Sequence, residues 1–181
     1  MLNIHHHKKL RFCISLFLLC SIMITVTVPA NAYSTHSWKL SSKSASYTWG
    51  SNLQVSGSVI RNAWESAIGD WYSASSVNFY YSSASPNVLN SIYESSSSLY
   101  GRTTVSHSGG IVTSFKANIN SGNSSISQTN VARSTANHEF GHVLGLDDLT
   151  SGTAIMNVNR NRKTVYVPKT DDKNGITAIY G

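Results

Sequence analysis

The stretch HEFGHVLGLDD, residues 138–148, sets His138 and His142 four residues apart, with Glu139 directly after the first histidine. On a helix, residues four apart share one face with Cβ atoms about 5–6 Å from each other, so both imidazoles can be aimed at a common point. Two nitrogen donors from one rigid turn suit a zinc ion, whose catalytic sites take three protein ligands and keep a fourth position open. Glu139 projects beside that point without being needed as a donor, which is where a general base for an activated water belongs. The third donor must come from further along. Gly145 is the residue type that closes a helix in the left-handed conformation and turns the chain back, and Asp147 and Asp148 follow it. The residues by themselves leave open which aspartate completes the set. An ordinary amphipathic helix carrying two histidines is the competing reading, and the glycine and acids that follow tell against it.

The elements that must position these groups can be read from apolar periodicity. A helix is expected to start near Ser127 to Asn130, where capping residues precede VARSTANHEFGHVLG, and to stop at Gly145. Val59, Ile60, Ala63, Trp64, Ala67, Ile68 and Trp71 recur in steps of three and four, an amphipathic helix closed by the YSASS turn. SVNFYY alternates as a half-buried strand does, and IVTSFKANIN places Ile111, Thr113, Phe115, Ala117 and Ile119 on one face. GRTTVSHS, 101–108, is a weaker strand candidate. TDDKNGITAIYG reads as a last helix, with Thr170 as cap and Asp171 and Asp172 favoured at its positive end. Helix, strands, helix, loop, helix suggests an α+β domain. The Ser-rich segments YSSAS, YESSSSLYG and NSGNSSIS are polar turns and loops, and no internal repeat is present.

The ends and the composition limit what the domain can be. Lys8, Lys9 and Arg11 precede a continuous apolar run that ends in ANA at 30–32, the pattern of a secretory signal peptide cut after Ala32. Removing 32 of 181 residues leaves 149, residues 33–181, a single domain able to bury about 70% of its unfolded surface. Cys13 and Cys20 leave with the signal, so the mature chain holds no thiol and no disulfide. Three of the 14 basic residues leave as well, so 11 remain against 8 acids and the net charge falls from +6 to +3. A nucleic-acid partner would need a basic face or a binding motif, and neither is visible. The cluster RNRK, 160–163, reads as a solvated loop. The expectation is a secreted, extracellular monomer without stable membrane association once the signal is gone.

HEFGHVLGLDD resembles the HExxHxxGxxH/D signature of the metzincin zinc endopeptidases, and TAIMN, 153–157, resembles their Met-turn. VPKTDDKNGITAIYG is similar to the C-terminal helix of the matrixin branch, and GRTTVSH with GGIVTSFKANIN to the edge strand and next strand of bacterial matrixin-like proteases. The resemblance runs from about Val55 to Gly181. It implies a metzincin-like zincin fold: a twisted, mostly parallel sheet with an antiparallel edge strand, an active-site helix, a Met-turn with Met156 beneath the metal, and a C-terminal helix. One catalytic zinc is implied, held by His138, His142 and the residue ten positions after His138, which is Asp148. Glu139 would deprotonate a zinc-bound water for attack on the scissile carbonyl and pass the proton to the leaving amine. A protein or peptide substrate would lie as an extended strand along Gly101 to Ser106. The loop Asn157 to Val167 would wall the pocket after the cut, where Arg160, Arg162 and Lys163 would favour an acidic side chain.

The sequence departs from the matrixin pattern in two ways. The third ligand position, normally histidine, is acidic here, and no cysteine-bearing inhibitory propeptide precedes the first helix, which excludes latency by that route. Calcium, possible by family analogy, finds little support because no clustered acidic loop lies outside the catalytic stretch. His36 and His107 are expected at the surface. The rival from another class is a secreted non-catalytic binding or toxin-component protein that keeps zinc for stability. Such a site would be closed by four protein ligands, and the sequence offers three.

Overall fold

Four segments with apolar residues on alternate positions lie side by side as parallel strands, and a fifth turns back along their edge. In the computed structural model, which describes residues 33–53 and 55–181, the signal segment read at 1–32 lies outside the described residues. The order along the chain is β1 (Ser34–Thr35), β2 (Ser44–Trp49), α1 (Val59–Ser75), β3 (Asn78–Tyr81), β4 (Val88–Ile92), β5 (Gly101–Ser108), β6 (Ile111–Asn120), α2 (Thr129–Val143), β7 (Leu146–Asp147) and α3 (Thr170–Tyr180). The main sheet has the order β3-β2-β4-β6-β5. β3, β2, β4 and β6 run parallel to one another, and β5 is antiparallel to β6 and forms one edge. This is the mixed α+β, matrixin-like architecture expected from the sequence. Among the described residues no helix is long and apolar enough to cross a membrane.

The weak strand candidate is thus a full edge strand of eight residues, while two inner strands escaped the sequence reading. β2, SASYTW, buries Ala45, Tyr47 and Trp49, and β4, VLNSI, buries Leu89. Their other positions are Ser, Thr, Asn and single apolar residues, too little pattern to stand out.

α1 and α2 pack on each other and on the sheet. Trp64 and Trp71 are fully buried on α1, as its periodicity requires. Trp64 meets Phe140 of α2 edge-on at 5.1 Å, and Phe140 stacks on Phe79 of β3 at 4.2 Å. Such aromatic contacts add about 0.5–1.5 kcal/mol each beyond the area they bury. Polar ties fix the helix register: Trp71 Nε1 donates to Asn137 O at 3.1 Å, Arg133 Nε to Asp70 at 2.8 Å, and Asn137 Nδ2 to Asp70 at 2.7 Å. α2 is buried from Val131 to Val143 on nearly every side, so the chemistry of its HEFGH turn is held in a rigid core element. The predicted side-chain cap is missing: Gln128 holds the N-cap position and its side chain makes no capping bond.

Candidate active site

His138 and His142 lie on one face of α2, one turn apart, with ring centres 4.7 Å from each other. Each ring is oriented by a carbonyl on its Nδ1 side, His138 by Ile155 O at 3.1 Å and His142 by Leu146 O at 3.1 Å. A carbonyl only accepts, so each Nδ1 carries the proton and each Nε2 offers a lone pair. Those two Nε2 atoms converge on Asp148 Oδ1, at 3.2 Å from His138 and 3.5 Å from His142. Ligand atoms of the three residues all lie within 4.8 Å of one another. Two imidazole nitrogens and one carboxylate oxygen, with both imidazoles already fixed in the ligating tautomer, are a donor set that fits zinc.

The turn after α2 decides which aspartate arrives. Leu144 caps the helix, and Gly145 takes φ +96, a conformation in which a Cβ would also come within 2.5 Å of Trp38 O. The chain then forms β7, where Asp147 pairs with Ser34 of β1. Asp147 Oδ1 accepts from the Asp148 amide at 2.8 Å and faces His36 Nε2 at 3.6 Å, away from the histidine pair. The structure therefore brings Asp148, and not Asp147, to His138 and His142. Burial works to raise the Asp148 carboxyl, but the hydrogen bond that His138 donates when both its ring nitrogens are protonated, together with the nearby positive charge, outweighs it and holds it below the usual carboxylate value.

Glu139 is 4% exposed. Burial pushes its carboxyl up to about 7, although the Thr103 hydroxyl, donating to Oε2 at 2.7 Å, works in the opposite direction. Thr103 belongs to the edge strand β5, so the base is clamped between helix and strand. Gly101, two residues earlier on β5, makes the approach possible, since a Cβ there would sit 2.6 Å from Glu139 Oε1. His138 is shifted the other way, down to about 4, chiefly by burial and further by Arg160, while its contact with Asp148 resists.

Beneath the histidines lies the turn carrying Met156, which is fully buried. Asp172 at the start of α3 holds that turn, accepting from the amides of Ile155 at 2.7 Å and Met156 at 3.2 Å, and from Lys169 N at 2.7 Å. The first turn of α3 thus does more than favour its own dipole, and Thr170, expected as its cap, is instead the first helical residue after Lys169.

Two sequence readings need correction. Arg160 is no solvated loop residue: it is buried, with Nε donating to Ser134 Oγ at 2.9 Å, Nη2 to Ser134 O at 3.0 Å and Nη1 to Asn157 O at 3.0 Å. Its Nη1 also lies 3.2 Å from His138 Nδ1, and since the guanidinium cannot accept, that contact is not a bond to the protonated Nδ1. His36, expected at the surface, is half-buried in the cleft, stacked on Trp38 at 3.8 Å with its Nε2 3.4 Å from His142 Nδ1. No motif marked either residue, because each depends on contacts across many residues of sequence. His107 is exposed.

These groups line a cleft of about 560 Å³, which runs from His36 and Trp38 past His138, Glu139 and Asp148 to Tyr100 and Arg162. A helix-borne histidine pair with an adjoining buried carboxyl, set under the edge of a mostly parallel sheet, defines a zinc metallopeptidase. The matrixin family model matches residues 37–181, and the chain belongs to that family. The match begins ahead of the Val55 limit read from the sequence and takes in Trp38 and β2. No curated protein matches the chain significantly. Among solved structures, a chain of the GM1-bound form of the ECX AB5 holotoxin is similar, with a TM-score of 0.55 over 82% of this chain and 86% of that one, at 14% identity. At that identity the likeness is one of fold.

Proposed function

We propose that the protein is a secreted endopeptidase in which His138, His142 and Asp148 hold one zinc ion and Glu139 is the general base. The observation that carries this reading is the placement of Glu139, a buried carboxyl beside three converging donor atoms and tied to the edge strand through Thr103. When bound, zinc supplies a Lewis acid that acidifies water and stabilises negative charge on a carbonyl oxygen. Thr103 engages Oε2 of Glu139, which leaves Oε1 to take the proton of the attacking water and return it to the leaving amine. A carboxyl whose proton affinity is raised toward neutrality suits both transfers. The substrate backbone adds to the free edge of β5 between Gly101 and Ser106, which aligns a peptide carbonyl over the donor cluster. Three donors rather than four, among the described residues, favour this over a zinc site kept for stability alone.

The test is Glu139→Gln. The variant should bind zinc as the parent does and lose cleavage of an unfolded protein substrate by roughly 10²-fold or more. Undiminished cleavage would overturn the assignment. Export rests on the leader at 1–32, and protein recovered from the medium should begin at Tyr33.

A further inference from the structure

At Tyr100 the cleft adjoins a smaller cavity of about 200 Å³. Tyr100, Arg160 and Arg162 line both spaces; Lys163, Ser125 and Gln128 help to line the smaller one, and no acidic residue does. The two arginines differ in what they have left to offer. Arg160 donates from each of its three nitrogens to Ser134 or Asn157 and holds the framework. Arg162 is half-buried, with Cζ 4.0 Å from the centre of the Tyr100 ring, and one Nη2 bond to Val158 O at 3.3 Å. Its Nε is buried and has no partner.

That state is unusual for this chain. The other three arginines among the described residues each pair with a carboxylate: Arg61 with Glu65, Arg102 with Glu94, and Arg133 with Asp70. No carboxylate comes within the 4.0 Å ion-pair distance of Arg162, and Glu139 and Asp148 act on it only from further away. A partly desolvated guanidinium with open donors is unfavourable by itself, and a ligand carboxylate completes it with charge-assisted, bidentate geometry. The cavity has room for several water molecules, hence for a short acidic side chain.

We propose that Arg162, positioned by Tyr100 and supported by Lys163, receives the carboxylate of an Asp or Glu side chain of the substrate at one fixed position beside the scissile bond. This rests on the peptidase reading and names its substrate class, and it moves the specificity from the whole RNRK cluster to one residue. The zinc-loaded enzyme is profiled on a peptide library, then on matched peptides that differ only by Glu or Gln at the enriched position. The parent should prefer the acidic member, and Arg162→Gln should erase a preference of roughly tenfold or more in kcat/KM while cutting the neutral member as before. Arg162→Glu should reverse the preference toward Lys or Arg. The neutral peptide and the zinc content report that each variant is folded; should Arg162→Gln fail both, Arg162→Lys takes its place, with a weakened but surviving preference. Cleavage without acidic preference, or a preference unchanged in the variants, overturns the proposal and leaves the peptidase reading standing. Failure of the parent to cut any peptide overturns that reading and this one with it.

Discussion

Gly141 and Met156 meet where the active-site helix crosses the turn beneath it: a Cβ on Gly141 would collide with Met156 Sδ. The helix carries no side chain at this point, between Phe140 and His142, so the sulfur can pack directly against its backbone. Gly141→Ala should destabilise the fold by about 1–3 kcal/mol through overpacking. Met156→Ala in the same chain removes the colliding group, so the double variant should be less destabilised than the sum of the two single ones. Urea unfolding of the four proteins gives the coupling, and strict additivity would show that the two residues do not press on each other.

Glu139 also leaves a signature in the pH dependence of the metal-free protein. Its carboxyl binds a proton more tightly folded, at about 7, than unfolded, near its ordinary value of 4.5. Between those values the native state holds more protons, so stability falls as pH rises through this window. His138, shifted down to about 4 from 6.5, acts oppositely, because there the unfolded state holds more protons and stability rises with pH. Comparing parent with Glu139→Gln isolates the first effect. The variant should gain on the parent as pH rises from 4.5 to about 7, by on the order of 2–3 kcal/mol. A pH-independent difference would mean that Glu139 titrates normally.

The two aspartates after Gly145 should separate cleanly. Asp148→Ala removes one of three donor atoms and should lose zinc affinity and cleavage together. Asp147→Ala, whose carboxylate faces His36 and its own chain, should keep most of both. Zinc content after dialysis against a weak chelator checks this, and the reverse order would show that the turn closes in another register.

Arg160 and Lys163 are three residues apart and should behave very differently. Arg160→Ala removes three buried hydrogen bonds, to Ser134 Oγ, Ser134 O and Asn157 O, and should cost more than about 2 kcal/mol. Lys163→Ala, at an exposed position, should stay within about 0.5 kcal/mol. Chemical denaturation curves for both distinguish a framework arginine from a solvated one.

What could be read in advance follows from how local each signal is. The helix of His138 and His142 announces itself within five residues, and Trp64, Ala67 and Trp71 declare the buried face of α1 by spacing alone. The Gly109–Gly110 pair, both at positive φ between β5 and β6, was a hairpin signal that would have strengthened the edge strand. β2 and β4 were invisible because their short runs of Ser, Thr and Asn gain strand character only from parallel neighbours. Asp172 looked like a helix-end charge, and its grip on the amides of Ile155 and Met156 exists only once the tail has folded back. His36 is 106 residues from the histidine it approaches, a distance no local pattern spans.

The pairing of β1 with β7 has a bearing on the order of folding. Thr35 pairs with Leu146 and Ser34 with Asp147, and His36 N donates to Gly145 O at 2.8 Å, so the first residues of the domain brace the turn that presents Asp148. More than a hundred residues separate the two sides, and such loops close late because their entropy must be met before the contact returns anything. The histidine pair forms within a single helix, whereas the carboxylate joins it only when β1 has come back to the turn after that helix. Deleting residues 33–37 should therefore leave the sheet and helices in place and loosen the aspartate arm alone, turning a three-donor centre into a two-histidine one with weaker hold on its metal.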